Sequence, residues 1–376
     1  MFRFDHARHA SILFLSALLC AALPATGWTW GSEGHHYIAQ HYSQHLPAGV
    51  DGLRAYDSVV DAHVTDPDTR KGSTPGEAER HYIDIDYYPE FLAGTLPRSR
   101  TALEALYSPS IVTNQGILPW AIGDVVTTLT AQFQAGQWTT AALTIADLCH
   151  YVGDANQPLH CTQNFDGGMT GNSGIHSRYE STMISDYLDQ LSTPPMTATY
   201  YASPLDAAFD VIAASHAKVS PILSADNTAK AASGGSYNST YYASLWSSTH
   251  ALTQARLDTA TVVLASLVYT AWVDAGRPAV GSGASVYLRA GPSPFDERLT
   301  VYYNAAGPLS VDVYDVRGAR VAHVADGLSG EGSVTWQPAG SGTPVKAGIY
   351  FVRLNGPGTN LMRKVMLSPR PRPFTR

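Results

Sequence analysis

The chain has 376 residues, which exceeds one ordinary domain and favours two structural units. Its hydrophobic content of 44% and charged content of 15% are typical of a well-packed, lightly charged globular protein. With a net charge of −7, the sequence gives no sign of the basic surface that duplex nucleic acid requires, so stable binding of duplex DNA is not expected.

The first 29 residues have the form of a secretory signal peptide. A positively charged start precedes a short apolar run at residues 12–23 and a small-residue stretch at 24–27. The run is too short to span a bilayer. Cleavage after Gly27 fits signal-peptidase preference, whereas cleavage after Thr29 would leave Trp30 as the first residue of the mature chain.

Residues 30–276 are predicted to be mainly α-helical. Apolar residues recur with helical spacing in several segments, and the last of these segments ends at Gly276. The segments are Glu33–His45, Pro119–Gln134, Thr139–Asn156, His176–Leu191 and Thr249–Ala275. We expect this region to be the catalytic domain.

The composition changes after the helical region. Residues 277–285 form a small-residue linker, and short segments with alternating apolar residues follow in residues 286–368. These segments are Leu299–Tyr303, Leu309–Val316, Arg320–Ala325, Ser333–Trp336, Ile349–Leu354 and Leu361–Leu367. They predict a small all-β, immunoglobulin-like sandwich, with residues 369–376 as a tail.

Two histidine–carboxylate pairs lie close together in the helical region. His150 and Asp154, and likewise His176 and Glu180, are four residues apart, and His160 lies between the pairs. Residues at this spacing share one face of a helix. Either pair alone is more often a solvated or locally hydrogen-bonded face, but together the five residues are the ligand types that zinc accepts.

Further candidate ligands lie upstream of these pairs. They are His35, His81 and either Asp66 or Asp68, and the spacing to His81 favours Asp66. Trp30 could bind a cation only through its backbone amine and carbonyl, which requires that processing leave it at the N-terminus.

The complete pattern resembles a superfamily of secreted trinuclear-zinc phosphodiesterases. It includes the single-strand-specific nucleases of the S-one/P-one type and the bacterial zinc-dependent phospholipases C. The resemblance covers residues 30–275 and implies a mostly helical fold that binds three zinc ions. It implies one zinc on Asp66, His81, His150 and Asp154, a second on His160, His176 and Glu180, and a third on His35, Trp30 and the bridging Asp154.

The resemblance also implies hydrolysis of a phosphodiester by a zinc-bound hydroxide. Asp66 is expected to orient the hydroxide and Asp154 to join two ions. Arg70 is expected to bind phosphate, although an arginine at this position is about as often a surface residue without such a role. Tyr82, Phe165 and Tyr179 are candidates for binding the substrate, although core packing is the more frequent role of any one of them.

Three functions are compatible with these residues. The Trp30–His35 segment favours an endonuclease that cleaves single-stranded DNA or RNA, which we take as the first prediction. His150–Pro158 and Glu180 look more like the phospholipases C, because the nucleases commonly carry aspartate at the last position. A non-catalytic secreted zinc-binding or adhesion protein is the third alternative.

The C-terminal region resembles the immunoglobulin-like domain of secreted bacterial proteins. Val311–Gly318 and Ala347–Leu354 carry this resemblance, which implies a sorting signal for type IX secretion or a relative of a flagellar-hook capping protein. A β-sandwich appendage is an equal alternative. We expect the protein at the surface of a bacterium, in its periplasm or outside it. Pairing of Cys149 with Cys161 is possible there, but is the less favoured state.

Overall fold

The computed structural model describes residues 30–281, 287–291, 295, 298–338, 345–356 and 359–368. The predicted signal peptide, residues 282–285 of the linker and the tail lie outside the described residues. The predicted fold class is confirmed: a mainly helical part is followed by a small antiparallel sheet.

The helical part extends from Gly31 to Asp274. The α-helices are α1 (Gly31–His41), α2 (Asp57–His63), α3 (Asp66–Arg70), α4 (Pro89–Leu92), α5 (Arg100–Tyr107), α6 (Pro109–Asn114), α7 (Leu118–Gln134), α8 (Trp138–Asn156), α9 (Ile175–Ser177), α10 (Ile184–Tyr187), α11 (Pro204–His216), α12 (Val219–Ala232) and α13 (Ser239–Asp274). Short 3₁₀ turns cover Tyr42–His45, Asp51–Tyr56, Ala78–His81, Ile85–Tyr87, Pro158–Cys161, Gly168–Thr170 and Leu188–Gln190, and a π-helical turn covers Arg178–Met183.

Helix α8 is the centre of the helical part. It packs against α1, α2, α7, α11 and α13, and every residue from Leu148 to Asn156 is buried. A helix that is covered on all sides needs small or apolar residues all round, which explains its content of alanine, glycine and leucine. His150 and Asp154 therefore lie in the protein core rather than on a solvated face.

Helix α13 begins ten residues before the start that hydrophobic periodicity predicts. Its first residue is Ser239, and the preceding Asn238 caps the helix. The Asn238 side chain accepts hydrogen bonds from the backbone N–H groups of Thr240 at 3.0 Å and Tyr241 at 3.2 Å. The cap sets the start of the helix, and Tyr241, Leu245 and Trp246 are buried in its first turns.

The C-terminal part forms one five-stranded antiparallel sheet with its own apolar core. The strands are β1 (Tyr287–Gly291), β2 (Leu299–Asp315), β3 (Arg320–Trp336), β4 (Gly348–Gly356) and β5 (Thr359–Leu367). Strand β2 is central, because it pairs with β3 along its length and with β1 and β4 at successive segments of its other edge. Strand β5 pairs with β4.

Four of the predicted short strands join into two long ones. Leu299–Tyr303 and Leu309–Val316 lie within or at the end of β2, and Arg320–Ala325 and Ser333–Trp336 lie within β3. Register shifts between Ala305 and Val311 keep the ladder continuous while interrupting the apolar alternation. The prediction of separate strands was wrong there, and the type of β-domain stays a prediction.

Among the helices that the structure describes, none combines the length and the apolar character that crossing a membrane requires.

Replacing Asn238 with alanine tests the helix cap. Asn238→Ala removes the acceptor for two backbone N–H groups, so we expect the free energy of unfolding to fall by about 1 kcal/mol. Asn238→Asp keeps an acceptor and serves as the control. Denaturant titration of the three proteins measures the difference, and equal midpoints for all three would contradict the capping role.

Candidate metal centre

The carboxylate of Asp154 lies among three imidazoles in the core. Its oxygens are 3.0 Å from His81 Nδ1, 3.5 Å from His150 Nε2 and 3.5 Å from His35 Nε2. His35 comes from α1, His81 ends a 3₁₀ turn, and His150 lies one helical turn before Asp154. The four side chains are buried. The structure thus brings together residues that are far apart in the sequence.

Three groups of side chains place their nitrogen and oxygen atoms close enough to hold a metal ion. They are His35 with His150 and Asp154, Asp68 with His81 and His150, and His160 with His176 and Glu180. The groups overlap with the three zinc sites that the sequence implied but differ in composition: Asp68 stands in place of Asp66, Asp154 is grouped with His35 and not with His81, and His150 belongs to two groups. The Trp30 backbone N–H, expected beside His35, donates to Glu180 instead. We call the three groups the His35 group, the Asp68 group and the Glu180 group.

The preference for Asp66 over Asp68 disagrees with the structure. The Asp66 carboxylate forms a 2.9 Å pair with His63 Nδ1, and its side chain is 44% exposed. The Asp68 side chain is 8% exposed, with one oxygen 3.5 Å from His150 Nε2 and 3.8 Å from His81 Nδ1. Asp68 lies two residues after Asp66 on the short helix α3, so its side chain points to a different side of the helix, which here faces the core. The spacing of residues in the sequence could not show this.

The Glu180 group contains two imidazoles and one carboxylate. Glu180 Oε2 is 3.1 Å from His176 Nε2 and 3.5 Å from His160 Nε2, and the two nitrogens are 3.2 Å apart. Gln157 Nε2 also donates to Glu180 Oε2 at 2.7 Å. The predicted pairing of His176 with Glu180 one turn apart is present, although the helix there begins as α and continues as π.

Backbone carbonyls orient three of the imidazoles. His150 Nδ1 lies 2.8 Å from Val64 O, His160 Nδ1 lies 2.6 Å from His81 O, and His176 Nδ1 lies 3.2 Å from Phe165 O. A carbonyl can only accept, so Nδ1 carries the proton in each ring. The Nε2 lone pair is then free to face the group, as metal-binding histidines require.

These groups fit zinc. Nitrogen ligands at 2.0–2.1 Å around a tetrahedral ion are about 3.3 Å apart. His150 Nε2 and His81 Nδ1 are 3.0 Å apart, which is close to that separation, as is the 3.2 Å spacing in the Glu180 group. Glu180 Oε1 is buried and receives no hydrogen bond from the residues that the structure describes. A bound cation would satisfy this oxygen.

Electrostatics keep the carboxylates ionised. Burial by itself would raise the pKa of Asp154, but attraction to His150 and His160 and hydrogen bonds from His35 and His81 lower it well below its ordinary value. Burial likewise opposes ionisation of Glu180, yet His176 and His160 lower its pKa to about 2. Burial lowers the pKa of His35 to about 4. Burial opposes protonation of His150 and His176 as well, but Asp68 and Asp154 raise the pKa of His150 and Glu180 raises that of His176. Because ionised carboxylates and neutral imidazoles are the forms that bind metal, a cation would displace any proton held between these rings and the carboxylates.

Trp30 lies beside the Glu180 group. Its backbone N–H donates to Glu180 Oε2 at 3.0 Å, and its indole Nε1 donates to Gly153 O at 2.7 Å. Trp30 is fully buried, so the indole ties the start of α1 to α8. The same helix carries His35, which lies so close to Gly153 that a Cβ there would be 2.8 Å from His35 Nδ1.

The residues expected to contact the substrate differ in how accessible they are. Arg70 pairs with Asp147 at 3.1 Å and with Glu77 at 3.4 Å, so its charge already has partners. Tyr179 is fully buried and bonds Thr253, which makes it a core residue and contradicts its expected contact with substrate.

Two aromatic residues remain accessible. Phe165 is 55% exposed, and its ring centroid is 5.9 Å from that of His176. Tyr82 is half-buried, and its hydroxyl donates to Asn114 O.

Sequence reasoning missed Glu77. Its Oε1 is 3.6 Å from His81 Nε2, and it also accepts a short hydrogen bond from the Tyr151 hydroxyl. Glu77 therefore lies behind His81, on the side away from Asp154, and links it to Arg70. The spacing of four residues between Glu77 and His81 was the available signal.

Cys149 and Cys161 are buried free thiols, in agreement with the favoured expectation.

A scan against protein-family models and a search of characterised proteins by sequence give no match. Among solved structures, the chain is similar to the alpha toxin from Clostridium absonum, with a TM-score of 0.42, 12% identity and coverage of 92% of this chain and 97% of that one. The alpha-toxin of Clostridium perfringens from the avian strain SWCP gives a TM-score of 0.41 and 12% identity, with 88% of each chain covered. Likeness at this level carries no argument about activity.

Matched asparagine substitutions distinguish the two candidate aspartates. Asp68→Asn should weaken zinc binding by about 10- to 100-fold, because it removes a buried carboxylate that faces His81 and His150. Asp66→Asn should bind zinc as the unsubstituted protein does, because its carboxylate pairs with His63. Competition with a chromophoric chelator measures the affinities. The reverse order of the two variants would contradict the placement.

Proposed function

We propose that the protein is a zinc-dependent phosphodiesterase. The observation that supports this most strongly is the arrangement of three adjacent ligand groups around Asp154 and Glu180 in a buried site. Several cations held close together suit the neutralisation and cleavage of a phosphodiester anion. Asp154 is the natural bridging ligand, since its two oxygens face different histidines.

A purely structural zinc site is less well supported. Structural sites usually close at four ligands and favour cysteine. Each group here draws on at most three ligand side chains, because His150 is shared by two groups and has only Nε2 to offer while Nδ1 donates to Val64 O. Both described cysteines lie outside the groups as free thiols. Three-ligand groups leave positions for water and substrate.

In this proposal, different residues bind zinc, orient the imidazoles and admit the substrate. The Asp68, His35 and Glu180 groups would hold zinc, which when bound supplies a Lewis acid and lowers the pKa of water. The backbone carbonyls of Val64, His81 and Phe165 fix the imidazoles before substrate arrives. His176 is 15% exposed beside Phe165, so this edge is where a phosphate can reach the site.

For the substrate we propose a phospholipid head group ahead of single-stranded nucleic acid, which reverses the order that the sequence favoured. Glu180, the residue typical of the phospholipases in the resemblance, holds both histidines of its group. Single-stranded nucleic acid stays the second candidate because the exposed Phe165 can also stack on a nucleobase.

Chelation and one isosteric substitution test the zinc requirement. Removal of zinc should abolish phosphodiester hydrolysis, and added zinc should restore it. Asp154→Asn should lower activity by about 100-fold or more and reduce bound zinc, because it removes the charge shared by the groups. Circular dichroism serves as the folding control. Full activity in excess chelator, or in a zinc-depleted Asp154→Asn protein, would contradict the proposal.

A substrate panel distinguishes the two classes. The purified protein is assayed on short-chain phosphatidylcholine, single-stranded DNA and RNA, with Asp154→Asn as the blank. We expect hydrolysis of the lipid with release of the phosphorylated head group. Cleavage of the nucleic acids alone would establish the nuclease alternative and reject the lipid proposal.

A further inference from the structure

Arg178 lies between the ligands His176 and Glu180 in the sequence but has a different set of partners. Its Nε donates to the Tyr241 hydroxyl at 2.9 Å, its Nη1 to Ser173 O at 2.8 Å, and its Nη2 to Asn172 O at 3.2 Å. The side chain is largely buried, and its guanidinium lies 4.1 Å from the centroid of the Tyr237 ring.

The counter-charge for Arg178 is Asp226 on α12. Nη2 of Arg178 is 3.1 Å from Asp226 Oδ1, and the same carboxylate accepts from Asn172 Nδ2 at 2.6 Å and from Lys230 Nζ at 2.8 Å. Asp226 also accepts a short hydrogen bond from Tyr241. Its carboxylate is fully buried, so these donors compensate for the lost hydration. We call Arg178, Asp226, Asn172 and Tyr241 the Arg178 network.

The Arg178 network holds the end of the loop that connects two ligands of the Glu180 group. Residues 162–174 connect the turn bearing His160 to the helix bearing His176, and Arg178 holds the carbonyls at the end of this loop. The approach is close, because a Cβ on Gly174 would be 2.6 Å from Arg178 Nη1. The backbone of Gly174 has φ +80°, which also favours glycine.

The π-helical turn begins at Arg178 and contains Glu180. A π turn holds one more residue than an α turn and is rarely stable without tertiary support. Contacts from Arg178 to helices α12 and α13 provide this support next to the ligand. The same turn therefore carries a network residue and a ligand, two positions apart.

We propose that Arg178 is a positioning residue that sets the zinc affinity of the Glu180 group without contacting the ion. Through Asp226 and Tyr241 it fixes the π turn and the end of the loop, so that His176 and Glu180 meet His160. This inference rests on the zinc site of the proposed function. It does not depend on which phosphodiester is cleaved.

The experiment measures zinc affinity and stoichiometry, with no substrate present. Arg178→Lys keeps the charge but loses the planar fork, and Asp226→Asn keeps the shape but loses the counter-charge. Each variant should weaken one zinc per chain by about 10- to 100-fold and leave the remaining sites unchanged. Arg98→Lys is the control, because it makes the same substitution at an arginine whose ion pairs, to Asp206 and Asp210, lie outside the ligand groups.

A double-mutant cycle separates positioning from a general loss of stability. His160→Ala removes a ligand of the Glu180 group, so adding Arg178→Lys to it should cause little further loss of zinc affinity. An equal loss in both backgrounds, or unchanged affinity in both Arg178→Lys and Asp226→Asn, would overturn the inference. If the unsubstituted protein binds zinc but cleaves no phosphodiester, the proposed function fails while this inference stands. Absence of zinc binding would overturn both.

Discussion

The carboxylate of Asp154, buried among the imidazoles of His35, His81 and His150, is the interaction on which the helical part depends. An isolated ionised carboxylate in the core would cost many kcal/mol, and it is tolerated only where hydrogen-bond donors or cations surround it. Helix α8 must therefore be central, with other elements bringing partners to it. Helix α1 and the 3₁₀ turn Ala78–His81, which pack against α8, meet this requirement by bringing His35 and His81.

The ligand groups also explain why polar residues are buried together here. His150 Nε2 and His81 Nδ1 face each other at 3.0 Å, and so do His160 Nε2 and His176 Nε2 at 3.2 Å. Because His160 and His176 each carry their proton on Nδ1, their two Nε2 lone pairs repel at this distance, whereas a cation between them attracts both. The packing of the surrounding helices therefore keeps these nitrogens close together despite their unfavourable electrostatic energy.

Much of this arrangement could be predicted from local sequence pattern. Helices α7 and α8 begin and end within one residue of their predicted bounds, because their apolar periodicity is strong. The pairs His150/Asp154 and His176/Glu180 follow from spacing alone. The choice between Asp66 and Asp68 does not, because it depends on how the short helix α3 turns against α8. The role of Tyr179 was equally hidden, since burial depends on the distant α13.

The backbone contacts of the histidines have a consequence for the evolution of the site. The proton positions of His150, His160 and His176 are set by main-chain carbonyls and not by neighbouring carboxylate side chains. No substitution of a single residue can delete a carbonyl oxygen. The surrounding side chains are therefore free to diverge while the imidazoles keep their tautomer, provided that the backbone path is preserved.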